Sequence, residues 1–144
     1  MKKILIVNGP NINFMGIREK NVYGNVSYDD MNEILLKESS LLGVDLEIFQ
    51  SNIEGEIINK LQQAYFEKID GIIINPGAFT HYSYAIRDAI ASINILTIEV
   101  HISNIYKRED FRHNSVTAAC CQGQISGFGI NSYKLALKEI SGAL

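Results

Sequence analysis

Gly71-Ile72-Ile73-Ile74-Asn75-Pro76-Gly77 is the stretch that decides the fold. A strand with one face in water alternates apolar and polar residues, whereas this run has no polar face before it breaks into a turn. Both faces must therefore be covered, which is the condition of a strand inside a parallel sheet. The flanking segments supply the covers. Upstream, Ile57, Ile58, Leu61, Ala64 and Tyr65 recur at helical spacing, with Ser51 or Asn52 as the expected N-cap. Downstream, Ile86, Ala89, Ile90 and Ile93 repeat the pattern before a second apolar run, Leu96 to Val100.

The same alternation extends to both ends of the chain. Lys3 to Val7 reads as the first strand, followed by a polar loop from Asn8 to about Asn25. Ser27, with Asp30 three residues on, forms an approximate capping box. The helix behind it carries Tyr28, Met31, Ile34, Leu35 and Leu42 and stops at Gly43. Val44 to Phe49 is a strand, Gln124 to Ser126 a short fifth one, and the last helix places Tyr133, Ala136, Leu137, Ile140 and Leu144 on one face. Strand and helix in alternation, with buried strands, give an α/β fold with a parallel sheet. Five strands in one domain spanning 1–144 predict a flavodoxin-like three-layer α/β/α architecture with strand order 2-1-3-4-5, and ligands bound outside the carboxyl ends of the strands.

Composition narrows the function classes. Forty-seven per cent apolar and 20 per cent charged residues is globular composition, and 13 basic against 16 acidic residues leaves a net charge of −3, without the basic excess of a nucleic-acid surface. No apolar run approaches the roughly 20 residues of a membrane span, and Ile4 to Val7 is too short for a signal segment, so the expected location is the cytoplasm. Cys120 and Cys121 are adjacent and have no partner at zinc spacing, so they read as packing residues.

The residues that follow the strands carry the chemistry. After the first come Asn8-Gly9-Pro10-Asn11, then Arg18 and Tyr23-Gly24; after the third, Asn75-Pro76-Gly77, Thr80-His81 and Asp88. After the fourth come Glu99-Val100-His101-Ile102-Ser103-Asn104, Arg108 and Arg112. Loops are polar in any case, yet three of the four arginines and all three histidines lie in these segments, which points to a site at this sheet edge. Glu99 and His101, two apart at a strand end, project to the same side. A carboxylate beside an imidazole fixes its tautomer and favours the proton-bearing ring, which suits a proton donor, although such pairs are also found as plain buried links. Arg18 and Tyr23 share a loop bounded by Gly16 and Gly24, of active-site-lid length. A tyrosine base needs its ordinary pKa of about 10 lowered, and moving it two units takes about 3 kcal/mol of phenolate stabilisation, within reach of nearby guanidinium groups. Asn11, Asn75 and Ser103 suit hydroxyl and carbonyl oxygens. His81 and Asp88 have structural alternatives, as a helix cap and as a partner of Arg87 or of a neighbouring subunit's arginine. His113 reads as structural or surface.

Other chemistries lack their residues. Asn8 and Asn75 stand where a receiver domain needs aspartates, no G-x-x-x-x-G-K-[ST] loop occurs, and Gly127-Phe128-Gly129 reaches Ser132 where a dinucleotide fingerprint needs a third glycine. No lysine sits at a strand end for an imine, and no carboxylate–histidine cluster has metal spacing. Two further readings stand beside an enzyme. A flavin or nucleotide carrier would place a Ser/Thr/Gly-rich phosphate loop after the first strand, where Pro10 instead removes a backbone donor. A non-catalytic binding module would have no need of the charged lid.

Asn8-Gly9-Pro10-Asn11-Ile12-Asn13, Gly16-Ile17-Arg18-Glu19, Tyr23-Gly24, Asn75-Pro76-Gly77-Ala78-Phe79-Thr80-His81 and Glu99-Val100-His101-Ile102-Ser103-Asn104 together resemble the type II 3-dehydroquinate dehydratases of the shikimate or quinate pathways. Arg108-Glu109-Asp110-Phe111-Arg112-His113 and Gly127-Phe128-Gly129 follow in order, so the resemblance runs from end to end. It implies loss of water from 3-dehydroquinate by anti elimination through an enolate, giving 3-dehydroshikimate, without metal, cofactor or imine. Carried over residue by residue, it implies Tyr23 as base, Arg18 holding the phenolate, Asn11 positioning a water at the oxyanion, and His101, oriented by Glu99, as acid. It further implies that Asn75, His81, Asp88, Ile102 through its backbone, Ser103 and Arg112 bind substrate, that Arg108 joins Arg18 and Tyr23 in the lid, and that the chain assembles as a dodecamer of four trimers. Lys20, Phe79, Asn114 and Ser132 depart from the family's frequent proline, tyrosine, histidine and glycine; none of the four is a named catalytic group.

Overall fold

The computed structural model describes residues 1–17 and 25–144. Five parallel strands, β1 (Lys3–Asn8), β2 (Asp45–Gln50), β3 (Gly71–Asn75), β4 (Leu96–His101) and β5 (Gly123–Ser126), form one sheet in the order β2-β1-β3-β4-β5. The helices are α1 (Tyr28–Leu42), α2 (Glu54–Phe66), α3 (Tyr84–Ile93) and α4 (Asn131–Ala143).

The two-residue period of each strand divides the core. Ile4 and Ile6 of β1, Ile73 of β3, and Ile98 and Val100 of β4 face α1 and α4, where Met31, Leu35, Ala136, Leu137 and Ile140 cover them. Leu5, Val7, Ile72 and Ile74 point the opposite way, onto Ile57, Leu61 and Ala64 of α2 and Ile86, Ala89, Ile90 and Ile93 of α3. The unbroken apolar run of β3 is thus explained: each isoleucine serves one of two cores.

Local signals set most helix ends. Ser27 accepts a hydrogen bond from the Asp30 backbone N–H at 3.0 Å, the capping geometry its spacing predicts. Two expectations differ. Neither Ser51 nor Asn52 caps α2; the cap position is Ile53, because the Ser51 hydroxyl turns one residue too early, accepting from Ile53 N–H at 2.9 Å and donating to Glu56. The cap of α3 is Ser83, accepting from Ile86 N–H at 3.0 Å, rather than His81. Leu42 and Tyr65, at the last turns of their helices, lie beyond the sheet's cover and are exposed, while Ser39 occupies the inner face of α1.

The sheet register aligns the strand ends that carry the site. Asn8 pairs with Asn75, and Glu99 with Gln124. At the end of β1, Gly9 N–H donates to the Asn75 carbonyl at 2.7 Å, so close to the next strand's turn that a Cβ on Gly9 would lie 2.3 Å from the Pro76 oxygen. Gly9→Ala must therefore push two backbones apart. We expect a loss of about 1–3 kcal/mol, read as a lower urea midpoint at unchanged slope.

Candidate active site

The loop after β1 begins the site. Asn11 adopts a left-handed conformation, φ 69°, which asparagine tolerates better than most side chains. Its backbone N–H donates to Asn52 Oδ1 at 3.0 Å, tying the loop to the end of β2. Asn75, at the end of β3, is buried with both amide ends assigned: Oδ1 accepts from Gly77 N–H at 3.1 Å and Nδ2 donates to the Tyr133 hydroxyl at 2.8 Å. Tyr133 in turn donates to Asn8 Oδ1 at 2.6 Å, so α4 helps orient the floor of the site from below.

The 3-10 turn Gly77–His81 brings His81 to the same edge. Its Nδ1 donates to the Asn114 carbonyl at 2.8 Å, which leaves Nε2 as an acceptor, and its ring stands edge-on to Phe111 with centroids 5.8 Å apart. Burial lowers the His81 pKa; the Asn114 bond opposes that, while the charges of His101 and Arg112 reinforce it and that of Glu99 opposes it. His81 is thus a neutral group at neutral pH.

At the end of β4, strand periodicity does bring Glu99 and His101 together: the ring Nε2 donates to Glu99 Oε2 at 2.9 Å. His101 stands at the pocket wall, with Glu99 fully buried behind it. Burial pushes the Glu99 carboxyl up, but the bond and charge of His101, with bonds from Thr117 and Gln124, outweigh it and hold the carboxyl below its ordinary value of 4.5. A depressed carboxylate pKa adds stability that is present above the ordinary value and lost as pH falls through the folded one. Wild-type stability should therefore drop below about pH 4.5 in a way that Glu99→Gln does not, the variant being about 1–3 kcal/mol less stable at neutral pH. Urea unfolding across pH checks this: the gap between the two proteins narrows on acidification.

Pro10, Asn11, Met15, Asn75, Gly77, His81, His101, Ile102, Ser103, Arg108 and Arg112 line one pocket outside the carboxyl ends of β1, β3 and β4. Two guanidinium groups face a floor of neutral donors and acceptors. Arg108 reaches toward Ser103 Oγ at 3.5 Å; Arg112 bonds Glu109 at 3.1 Å and lies 4.7 Å over the Phe111 ring. Such a wall suits a small anion with several hydroxyls. Asp88 is exposed on α3 and does not line this pocket, and His113 stands outside it, donating to the Arg108 carbonyl at 3.2 Å. Arg18 and Tyr23 lie outside the described residues. Among the described residues, no group of three or more His, Cys, Asp and Glu is placed to hold a metal ion.

Sequence reasoning missed the residues behind the Glu99–His101 pair. Glu99 also accepts from Ser115 Oγ at 2.8 Å, from Gln124 Nε2 at 2.6 Å and from Thr117 Oγ1. The available signal was the β4–β5 register, which sets Gln124 directly beside Glu99. Cys120 and Cys121 are free and half-buried; burial, then the Glu99 and Cys120 charges, push the Cys121 thiol up to about 12, and it donates to the Thr117 carbonyl at 3.5 Å.

The sequence and the course of the fold coincide with one known group of proteins. A sequence model of the family described as Dehydroquinase class II matches residues 2–141. A 3-dehydroquinate dehydratase of Caldicellulosiruptor bescii is 65% identical over 97% of this chain and 99% of its own length. One of Caldicellulosiruptor saccharolyticus is 61% identical over 99% of this chain and all of its own. The crystal structure of the type II dehydroquinase of Butyrivibrio crossotus superposes with a TM-score of 0.95 at 54% identity, covering 96% of this chain and 97% of that one. Sequence, length and three-dimensional course agree throughout, and on those grounds this chain belongs to the class II dehydroquinase family.

Proposed function

We propose that the pocket removes water from 3-dehydroquinate, and that the chain is a 3-dehydroquinate dehydratase, a hydro-lyase serving the shikimate pathway. The observation that carries the site assignment is the buried Glu99–His101 pair opening onto a pocket with two arginines. Because Nε2–H is given to Glu99, the proton for the departing hydroxyl comes from Nδ1 of a doubly protonated ring, whose charge the carboxylate balances. After transfer the ring is neutral and still held by Glu99. Tyr23 is the proposed base at the carbon beside the ketone, its phenolate held by Arg18, with Asn11 positioning water at the enolate oxygen in an anti elimination.

Arg112 pairs with the substrate carboxylate in this reading, and Asn75, the Nε2 of His81, Ser103 and the backbone at Ile102 receive its hydroxyls. Arg108 closes over the site with the lid. Asp88, away from the pocket of its own chain, belongs to contacts with a neighbouring copy in the proposed dodecamer of four trimers. We assign the whole chain, 1–144, to one dehydroquinase domain acting in the cytoplasm on a small molecule, without nucleic acid or membrane. No helix among the described residues is long and apolar enough to cross a membrane.

Proton transfer between side chains and substrate needs neither a metal nor an imine. Turnover of 3-dehydroquinate should therefore survive both a chelator and borohydride added with substrate present. Loss to the first would show a metal requirement and loss to the second an imine, and either would overturn this mechanism.

A further inference from the structure

Glu99 is the centre of a polar cluster whose outer members, Ser115, Thr117 and Gln124, the dehydration as described leaves without a task. Its Oε2 receives His101 Nε2, Ser115 Oγ and Gln124 Nε2 at 2.9, 2.8 and 2.6 Å, and its Oε1 receives Thr117 Oγ1. Four donors converge on two oxygens, three of them on Oε2, an arrangement that favours the ionised form. That fixes its hydrogen-bond polarity. The Ser115 and Thr117 hydroxyls spend their hydrogens on Glu99, and Ser115 Oγ also accepts from Ala118 N–H at 3.0 Å. Thr80 Oγ1, fully buried 2.8 Å from Ser115 Oγ and 2.7 Å from Thr117 Oγ1, must then be the donor, its one hydrogen serving one of the two or divided between them. Since a carboxylate only accepts, the Gln124 amide is likewise held nitrogen-inward.

We propose that Thr117 and Gln124 are positioning residues for the acid: they keep Glu99 ionised and its Oε2 aimed at Nε2 of His101, so that Nδ1 is the ring nitrogen that serves the pocket. Neither touches the pocket; both act through Glu99. Thr80 extends the cluster to the turn that carries His81, and the Val116 N–H bond to the Thr80 carbonyl at 2.7 Å fastens the two segments. Among the described residues, His81 on that turn and Cys121 beyond Ala118–Cys120 also sense the charge of the carboxylate. The inference deepens the dehydratase reading and rests on it for its kinetic arm alone.

The test uses the full-length chain with Gln124→Met, Thr117→Val and Thr117→Ser. The first two remove a donor at nearly constant volume, and Thr117→Ser keeps it. We expect Gln124→Met and Thr117→Val each to lower kcat about tenfold with KM within about twofold, the loss of a bond to a charged group. The acidic limb of the kcat–pH profile should move up, because a less stabilised carboxylate takes its proton at higher pH. Nitrogen-15 spectra of the His101 ring, identified by its absence in His101→Asn, should change in the substrate-free protein from a ring whose Nε2 always carries its hydrogen toward Glu99 to a mixture in which part of the population has lost it. Thr117→Ser should recover most of the lost turnover and the wild-type ring spectrum. Gln124 is half-exposed on an edge strand, where methionine fits without disturbing the core. A folded Gln124→Met with wild-type ring spectrum and pH profile overturns the proposal by itself. If the unaltered chain does not turn over 3-dehydroquinate, the dehydratase reading fails, while the ring spectra still decide for or against the positioning role.

Discussion

His101→Ala lowers kcat by about 10²- to 10⁴-fold with KM little changed, the range that a positioned general acid contributes. The magnitude follows from the place of the ring. His101 is almost wholly buried, held through Nε2 by a carboxylate that is itself enclosed, and lines the pocket with its other edge. Hydroxide is a poor leaving group, and within the described residues of the pocket the only other imidazole, His81, has its Nδ1–H committed to Asn114 and is kept neutral by burial. It cannot stand in as a cationic donor. The lost step is water departure rather than proton abstraction. In deuterated water the variant should therefore still exchange the hydrogen on the carbon beside the ketone, followed by proton NMR, while enone formation is slow. Elimination at the wild-type rate would contradict the assignment.

Tyr23→Phe removes the proposed base and should cost a similar factor, about 10²- to 10⁴-fold in kcat, with binding retained. The difficulty for any tyrosine base is its ordinary pKa of about 10, and the compensation must come from positive charge. Arg108 and Arg112 both line the pocket, and Glu109, which bonds Arg112 at 3.1 Å, is exposed. Arg18, five residues before Tyr23, is the proposed third guanidinium. This variant should lose hydrogen exchange and enone formation together, unlike His101→Ala. That contrast separates base from acid, and a Tyr23→Phe protein with full exchange would remove Tyr23 from the role.

The fold was legible because each strand announces its burial. Ile72, Ile73 and Ile74 admit no wet face, and the helices on either side repeat at 3.6 residues, so a parallel sheet was the only economical arrangement. Helix starts were less legible, since a serine near a boundary can cap or turn: Ser27 and Ser83 cap, whereas Ser51 bonds one residue too soon. Within the site, Glu99 and His101 could be paired from strand geometry alone because they are neighbours on one face. Thr117 and Gln124 could not, because they lie 18 and 25 residues away and meet Glu99 only through the β4–β5 register and the path of the preceding loop. Long-range polar contacts leave no periodic trace. The role of Tyr133 was hidden for the opposite reason: its place on the apolar face of α4 was evident, but its hydroxyl emerges beneath Asn8 and Asn75 only once the sheet is assembled.

Ultraviolet absorbance of the conjugated enone, recorded as the purified chain is mixed with 3-dehydroquinate, tests the central claim most directly. The signal should rise catalytically with the unaltered chain and fall to background when Tyr23 and His101 are both replaced. A folded wild-type protein that produces no enone, or a double variant that produces it as fast, would contradict dehydration at this pocket.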